Sequence, residues 1–112
     1  MAETYKILGQ VAPSDTSEQI LYSTPSATQA IVTNITVVNR SGSAQTFDVN
    51  VYNSVPSGSI TSPAVNNVYK GVSVAANTFA ILEPGITLDA QNSIVVKGNS
   101  NLTFSASGVE LS

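Results

Sequence analysis

Apolar side chains in this chain recur at every second position, in short runs closed off by Gly, Pro, Asn and Ser. A helix would need them three and four apart, and that spacing is nearly absent, so the sequence predicts strands. The clearest run is 45–53, where Phe47, Val49 and Val51 alternate with Thr46, Asp48, Asn50 and Tyr52. Successive strand side chains point to opposite faces, so the first set is expected on a core and the second in solvent. Residues 29–39 form a longer, β-branched run. There Ile31, Thr33, Ile35 and Val37 alternate with Val32, Asn34, Thr36 and Val38. Apolar residues on both sides predict a strand near the centre of a sheet. The polar link from Arg40 to Ala44 has hairpin length, which predicts that these two runs pair.

Shorter strands are expected at 5–9, 19–23, 67–74, 78–82, 93–97 and 101–107. The last two, joined by Gly98, Asn99 and Ser100, read as a final pair. Glu83-Pro84-Gly85-Ile86 places Pro and Gly at the two centres of a type II turn. Gly108 interrupts the last alternation and marks a bulge, after which Val109 and Leu111 return to the core or to a partner. Residues 54–65, with Pro56, Gly58 and Pro63, are the longest irregular stretch and are expected as a surface loop that makes contacts. Eight or nine short strands of this kind predict an all-β, antiparallel β-sandwich, Ig-like or jelly-roll-like. A chain of 112 residues fits one such domain, residues 1–112.

The residue inventory removes most chemistry. The chain has no His and no Cys, which leaves no Ser–His–acid triad, no thiolate nucleophile, no disulfide and no structural zinc. The acids are Glu3, Asp15, Glu18, Asp48, Glu83, Asp89 and Glu110, widely spaced and mostly in turns. Nothing among them matches a calcium loop, and the glycines form no phosphate-binding loop. No catalytic, cofactor-binding or metal-binding residue is assigned, no cofactor is expected, and the chain is read as not an enzyme. The basic residues Lys6, Arg40, Lys70 and Lys97 are scattered, which argues against nucleic acid as a partner. No apolar stretch approaches membrane-span length. Met1-Ala2-Glu3-Thr4-Tyr5-Lys6 lacks the pattern of a secretory signal, so synthesis in a cytoplasm is expected.

Charge is scarce: 10% of residues, with a net charge of −3, against about 25% in an average soluble domain. Ser, Thr and Asn, about a third of the chain, supply the polarity instead. Interface cores are likewise depleted in charge, so the composition suits a protein packed against neighbours, and equally a neutral β domain that merely tolerates few charges. A carbohydrate-binding module is the alternative of another class, with Tyr5, Tyr22, Tyr52 and Tyr69 as stacking candidates. Of these Tyr52 lies on the expected outer face. Asn34, Asn39 and Asn101 each begin a glycosylation acceptor pattern, best explained by chance in an Asn- and Thr-rich chain.

Two segments carry a resemblance. Near the N-terminus, Tyr5-Lys-Ile-Leu-Gly-Gln10 leads to Leu21-Tyr22-Ser-Thr-Pro25 and then to a long strand ending at Asn39. Near the C-terminus, Gly85-Ile-Thr-Leu88 precedes Asn92-Ser-Ile-Val-Val96 and Leu102-Thr-Phe104. This pattern resembles the small β-sandwich virion structural proteins of tailed phages, marine and cyanobacterial ones especially. The chain departs from it by its low Lys and Arg content and its Glu83-Pro84-Gly85 turn. The resemblance implies a capsid decoration or cement protein that forms homo-oligomers, sits on the virion surface and contacts the major capsid protein. A tail, neck or baseplate component is the alternative. The N-terminal segment and residues 54–65 are expected to make the contacts.

Overall fold

The computed structural model describes residues 3–112. Nine strands form two antiparallel sheets: β1 (Glu3–Val11), β2 (Gln19–Ser23), β3 (Gln29–Asn39), β4 (Gln45–Tyr52), β5 (Asn67–Val74), β6 (Phe79–Leu82), β7 (Ile86–Leu88), β8 (Ser93–Lys97) and β9 (Leu102–Leu111). One sheet runs β1-β9-β3-β6, with β7 continuing the edge beside β3; the other runs β2-β8-β4-β5. We call these the first and second sheets. The expected all-β sandwich is thus the observed fold, and the pairing resolves its type. The first strand pairs with the last, β2 with β8, β3 with β6 and β7, and β4 with β5. A chain doubled back on itself in this way and wrapped into two sheets is a jelly roll.

Both expected hairpins are corrected by this topology. β3 lies in the first sheet and β4 in the second, so residues 40–44 arch across the sandwich. The same holds for β8 and β9. Five polar residues can span the roughly 10 Å between packed sheets as readily as they close a hairpin, so link length does not separate the two. The Asn39 side chain anchors the arch. It is buried, and its Nδ2 lies within reach of the carbonyls of Ser43 (2.9 Å), Val74 (3.0 Å) and Ala75 (3.2 Å). Its Oδ1 accepts from the Ser41 N–H at 2.9 Å. One side chain therefore ties the end of β3 to the end of β5 in the opposite sheet.

The core lies between the sheets. Ala30, Val32, Ile35, Val37, Phe104 and Ala106 face Phe47, Val49, Ile94 and Val96. Phe47 and Phe104 meet edge-on across it, with ring centroids 6.0 Å apart at 77°. Val32, not Ile31, joins Ile35 and Val37 inside, because the alternation of β3 changes phase at a bulge between Val32 and Asn34. β1 has a matching irregularity between Ile7 and Gly9. The expected bulge is thus present at the level of Gly108, but the extra residues belong to the neighbouring strands. Gly108 is needed there because a Cβ would sit 2.0 Å from the Ile31 carbonyl oxygen. The turn expected at 83–86 is corrected: Gly85 has the expected positive φ of +59, but β6 and β7 run in the same direction along β3, so residues 83–85 interrupt one edge without reversing the chain. The short strand after it, β7, was not foreseen. Among the described residues no helix is long and apolar enough to cross a membrane.

Candidate interaction surface

The outer faces of the two sheets differ. On the second sheet, β4 turns Asn50 and Tyr52 outward and β8 turns Ser93 and Val95 outward. Asn50 was expected in solvent, yet it is only 1% exposed. The correction has a local cause: residues 53–66 fold back over this face. The Tyr52 hydroxyl meets the Ser62 hydroxyl at 2.7 Å, and the Ser93 hydroxyl donates to the Ser54 carbonyl at 2.6 Å. The Ser62 N–H donates to Glu18 at 2.8 Å, and the other Glu18 oxygen accepts from Asn50 Nδ2 at 3.3 Å. Asn67 donates to Asn50 in turn. A carboxylate from the β1–β2 link therefore ties the long loop to β4, with one hydrogen bond to each. The loop ends in a short 3₁₀ turn, Ala64–Asn66, and presents Val55 and Val65 to solvent.

On the first sheet no described segment folds over the outer face. Tyr5 and Ile7 on β1 are 76% and 59% exposed, and Phe79 and Ile81 on β6 are 61% and 54% exposed. Val38 on β3 is exposed beside Phe79. The N-terminal segment, expected as a contact arm, is an edge strand of this sheet from Glu3 onward; Met1 and Ala2 lie outside the described residues.

The candidate sugar-stacking tyrosines are dispersed. Tyr22 is buried in the core and Tyr69 packs against it. Tyr52 lies on the outer face as expected, but its hydroxyl is engaged by the loop. Only Tyr5 is an open ring, and Phe79, which was overlooked, is a second. Their rows cross β3 at Ile31 and Val38, about 23 Å apart along the strand, too far to stack on one sugar ring. The acids do not converge either: among the described residues no three carboxylates gather to hold a metal. Asp48 accepts from Lys70 at 3.1 Å and from the Gly71 N–H at 2.7 Å. A shallow depression of about 380 Å³ beside it, lined by Thr16, Lys70, Lys97 and Asn99, is polar and open. Asn39 is buried and fully engaged, so its acceptor pattern is inaccessible to a glycan.

Between the sheets at the β1–β2 edge lies one titratable cluster. The Tyr22 hydroxyl donates to Glu110 at 2.5 Å and Lys6 lies 3.1 Å from the same carboxylate. The Tyr22 bond, helped by the Lys6 charge, holds Glu110 below the ordinary carboxylate value. Burial, then Glu110, pushes the Tyr22 hydroxyl above its usual range. This cluster closes the sandwich edge, and both Glu110 oxygens are engaged.

No protein-family model matches the chain, and no curated protein does. Two solved structures are similar in outline. A structure of infectious bursal disease virus, Gx strain, aligns over 97% of this chain and 32% of its own, at 9% identity and a TM-score of 0.45. A pentameric capsid protein isolated from metagenomic phage sequences aligns over 96% of this chain and 59% of its own, at 15% identity and a TM-score of 0.27. This chain thus spans about a third of the first and less than two thirds of the second. Neither likeness is close enough to carry a role over to it.

Proposed function

We propose that this chain is a non-enzymatic structural subunit of a virus particle, one folding unit that works by packing against other virion proteins. The observation that carries this reading is the bare outer face of the first sheet. The sandwich core is complete without that face, yet the face displays large apolar side chains and almost no charge. Exposed apolar surface of this kind marks an interaction site. The jelly-roll topology is compatible, since viral capsid domains and lectins both use it, but a fold alone does not assign a role. The lack of an aromatic platform counts against the lectin alternative.

Within the virion reading, a decoration or cement role on the capsid is favoured by the resemblance in the sequence, with the major capsid protein as partner. A protein of this kind stiffens a shell by bridging subunits, and many weak contacts repeated by symmetry add up to firm attachment. Quantitative mass spectrometry of intact particles tests the assignment. A copy number matching the shell lattice, with shells that melt at lower temperature when the protein is stripped, is the expected result. A single ring's worth of copies moves the protein to the tail or neck. Absence from particles ends the virion reading altogether.

A further inference from the structure

We propose that the outer face of the first sheet is an interface between two copies of this chain, packed sheet on sheet about a two-fold axis. Residues 53–66 of the same chain cover the second sheet around Asn50, Tyr52 and Ser93, and the open remainder by Asp48, Lys70 and Lys97 is charged, so the first sheet offers the apolar face left for another molecule. Three features point to a second copy as that molecule.

The first is size. Four strand positions about 4.8 Å apart, crossed with the 11 residues of β3 at about 3.3 Å each, give a face of roughly 700 Å² in projection. A stable interface takes about 800 Å² of accessible surface from each partner, and a corrugated face offers more accessible surface than its projection. The face therefore supplies one subunit's share without help from the loops.

The second is charge. The paired strands turn a single charged side chain outward on this face, Glu3, at its corner. A face bearing charge of one sign would repel its own copy, whereas a neutral face meets itself without that cost. A neutral face also has no charge pattern by which to select an acidic or basic partner.

The third is layout. The apolar residues sit on the two edge strands, Tyr5 and Ile7 on β1 and Phe79 and Ile81 on β6, toward diagonally opposite corners of the face. On the inner strands between them lie Ser107 and Asn34, which bond each other, and Ser105, which bonds Gln10 on β1. A two-fold axis lying in the interface and crossing the strands obliquely places each apolar corner on the other copy's opposite corner. The middle then meets itself, and hydroxyls and amides are both donors and acceptors, so they can pair with their own kind.

The inference deepens the packing role proposed above and rests on it. Sedimentation of the purified full chain over a range of concentrations tests it. The expected result is a monomer–dimer equilibrium. Phe79→Ser, Ile81→Ser and Ile7→Ser each weaken it by about 30-fold, the scale of an interface hot spot. Val65→Ser, on the loop over the other sheet and 88% exposed, leaves it unchanged. Three independent substitutions keep the test decisive if one of them fails to fold. A wild-type chain that stays monomeric throughout overturns the inference, as does a dimer that only Val65→Ser disturbs. A monomer that still adds to stripped particles would mean the face meets a different virion protein; the inference would fall and the proposed function would stand.

Discussion

Removing the Glu18 carboxylate should free the long loop without unfolding the sandwich. Glu18 accepts the Ser62 N–H at 2.8 Å and Asn50 Nδ2 at 3.3 Å. A hydrogen bond to a charged acceptor contributes about 1.5–3 kcal/mol. In Glu18→Ala the Ser62 N–H loses its partner, and Asn50 Nδ2 keeps only the Val95 carbonyl at 3.5 Å, at the limit of a real bond. The Tyr52–Ser62 and Ser93–Ser54 bonds stay in place, so the loop is weakened and not detached. Water can reach Ser62 and Asn50 when the loop lifts, which caps the loss near the lower half of that range, about 2 kcal/mol. The loss falls on a local opening of residues 53–66, not on global unfolding. At about 1.4 kcal/mol per factor of ten, the Ser62 amide should exchange its hydrogen roughly 30-fold faster. Amides of β3 and β9, which pair along their whole length, should not change. Hydrogen exchange read by mass spectrometry resolves the two regions. An unchanged Ser62 rate would falsify the pinning role. Equal acceleration in β9 would mean that Glu18 supports the whole sandwich.

The Glu110 cluster predicts a stability profile with two limbs. Glu110 titrates lower when folded, so its contribution is full above its ordinary value of 4.5 and is lost as pH falls through the depressed folded value. Tyr22 titrates higher when folded, so its contribution is full below 10.0 and is lost as pH rises beyond it. Urea midpoints measured against pH should therefore show a shallower acid limb in Glu110→Gln and a shallower basic limb in Tyr22→Phe; limbs identical to wild type would count against the cluster. Glycine substitutions should split sharply. Gly108→Ala drives a Cβ to 2.0 Å from the Ile31 carbonyl oxygen, backbone against backbone, and should destabilise by about 3 kcal/mol or more. Gly42→Ala meets nothing within 4 Å and should stay within about 0.5 kcal/mol of wild type in thermal melts.

Period-two patterning determined much of this molecule. The alternation of Phe47, Val49 and Val51 placed the inner face of β4, and the runs at 19–23, 29–39, 67–74 and 93–97 coincide with strands. The missing His and Cys excluded chemistry that needs an imidazole or a thiol, with no need of coordinates. Pairing was a different matter. Alternation says which side of a strand is apolar, not which strand lies beside it. The 40–44 and 98–100 links fit a hairpin and an arch equally well by length, and the choice was made by long-range burial and by Asn39 reaching into the other sheet. Asn50 read as a solvent residue because its own strand is regular; its cover comes from Ser62 and Glu18, distant in sequence. The outer face of the first sheet was likewise out of reach. Tyr5, Ile7, Phe79 and Ile81 are scattered along the chain and become one surface only when β1 and β6 take the two edges of the same sheet. Local sterics and hydropathy act over a few residues and are legible in order along the chain. A surface is assembled by topology, and only the tertiary structure decides it.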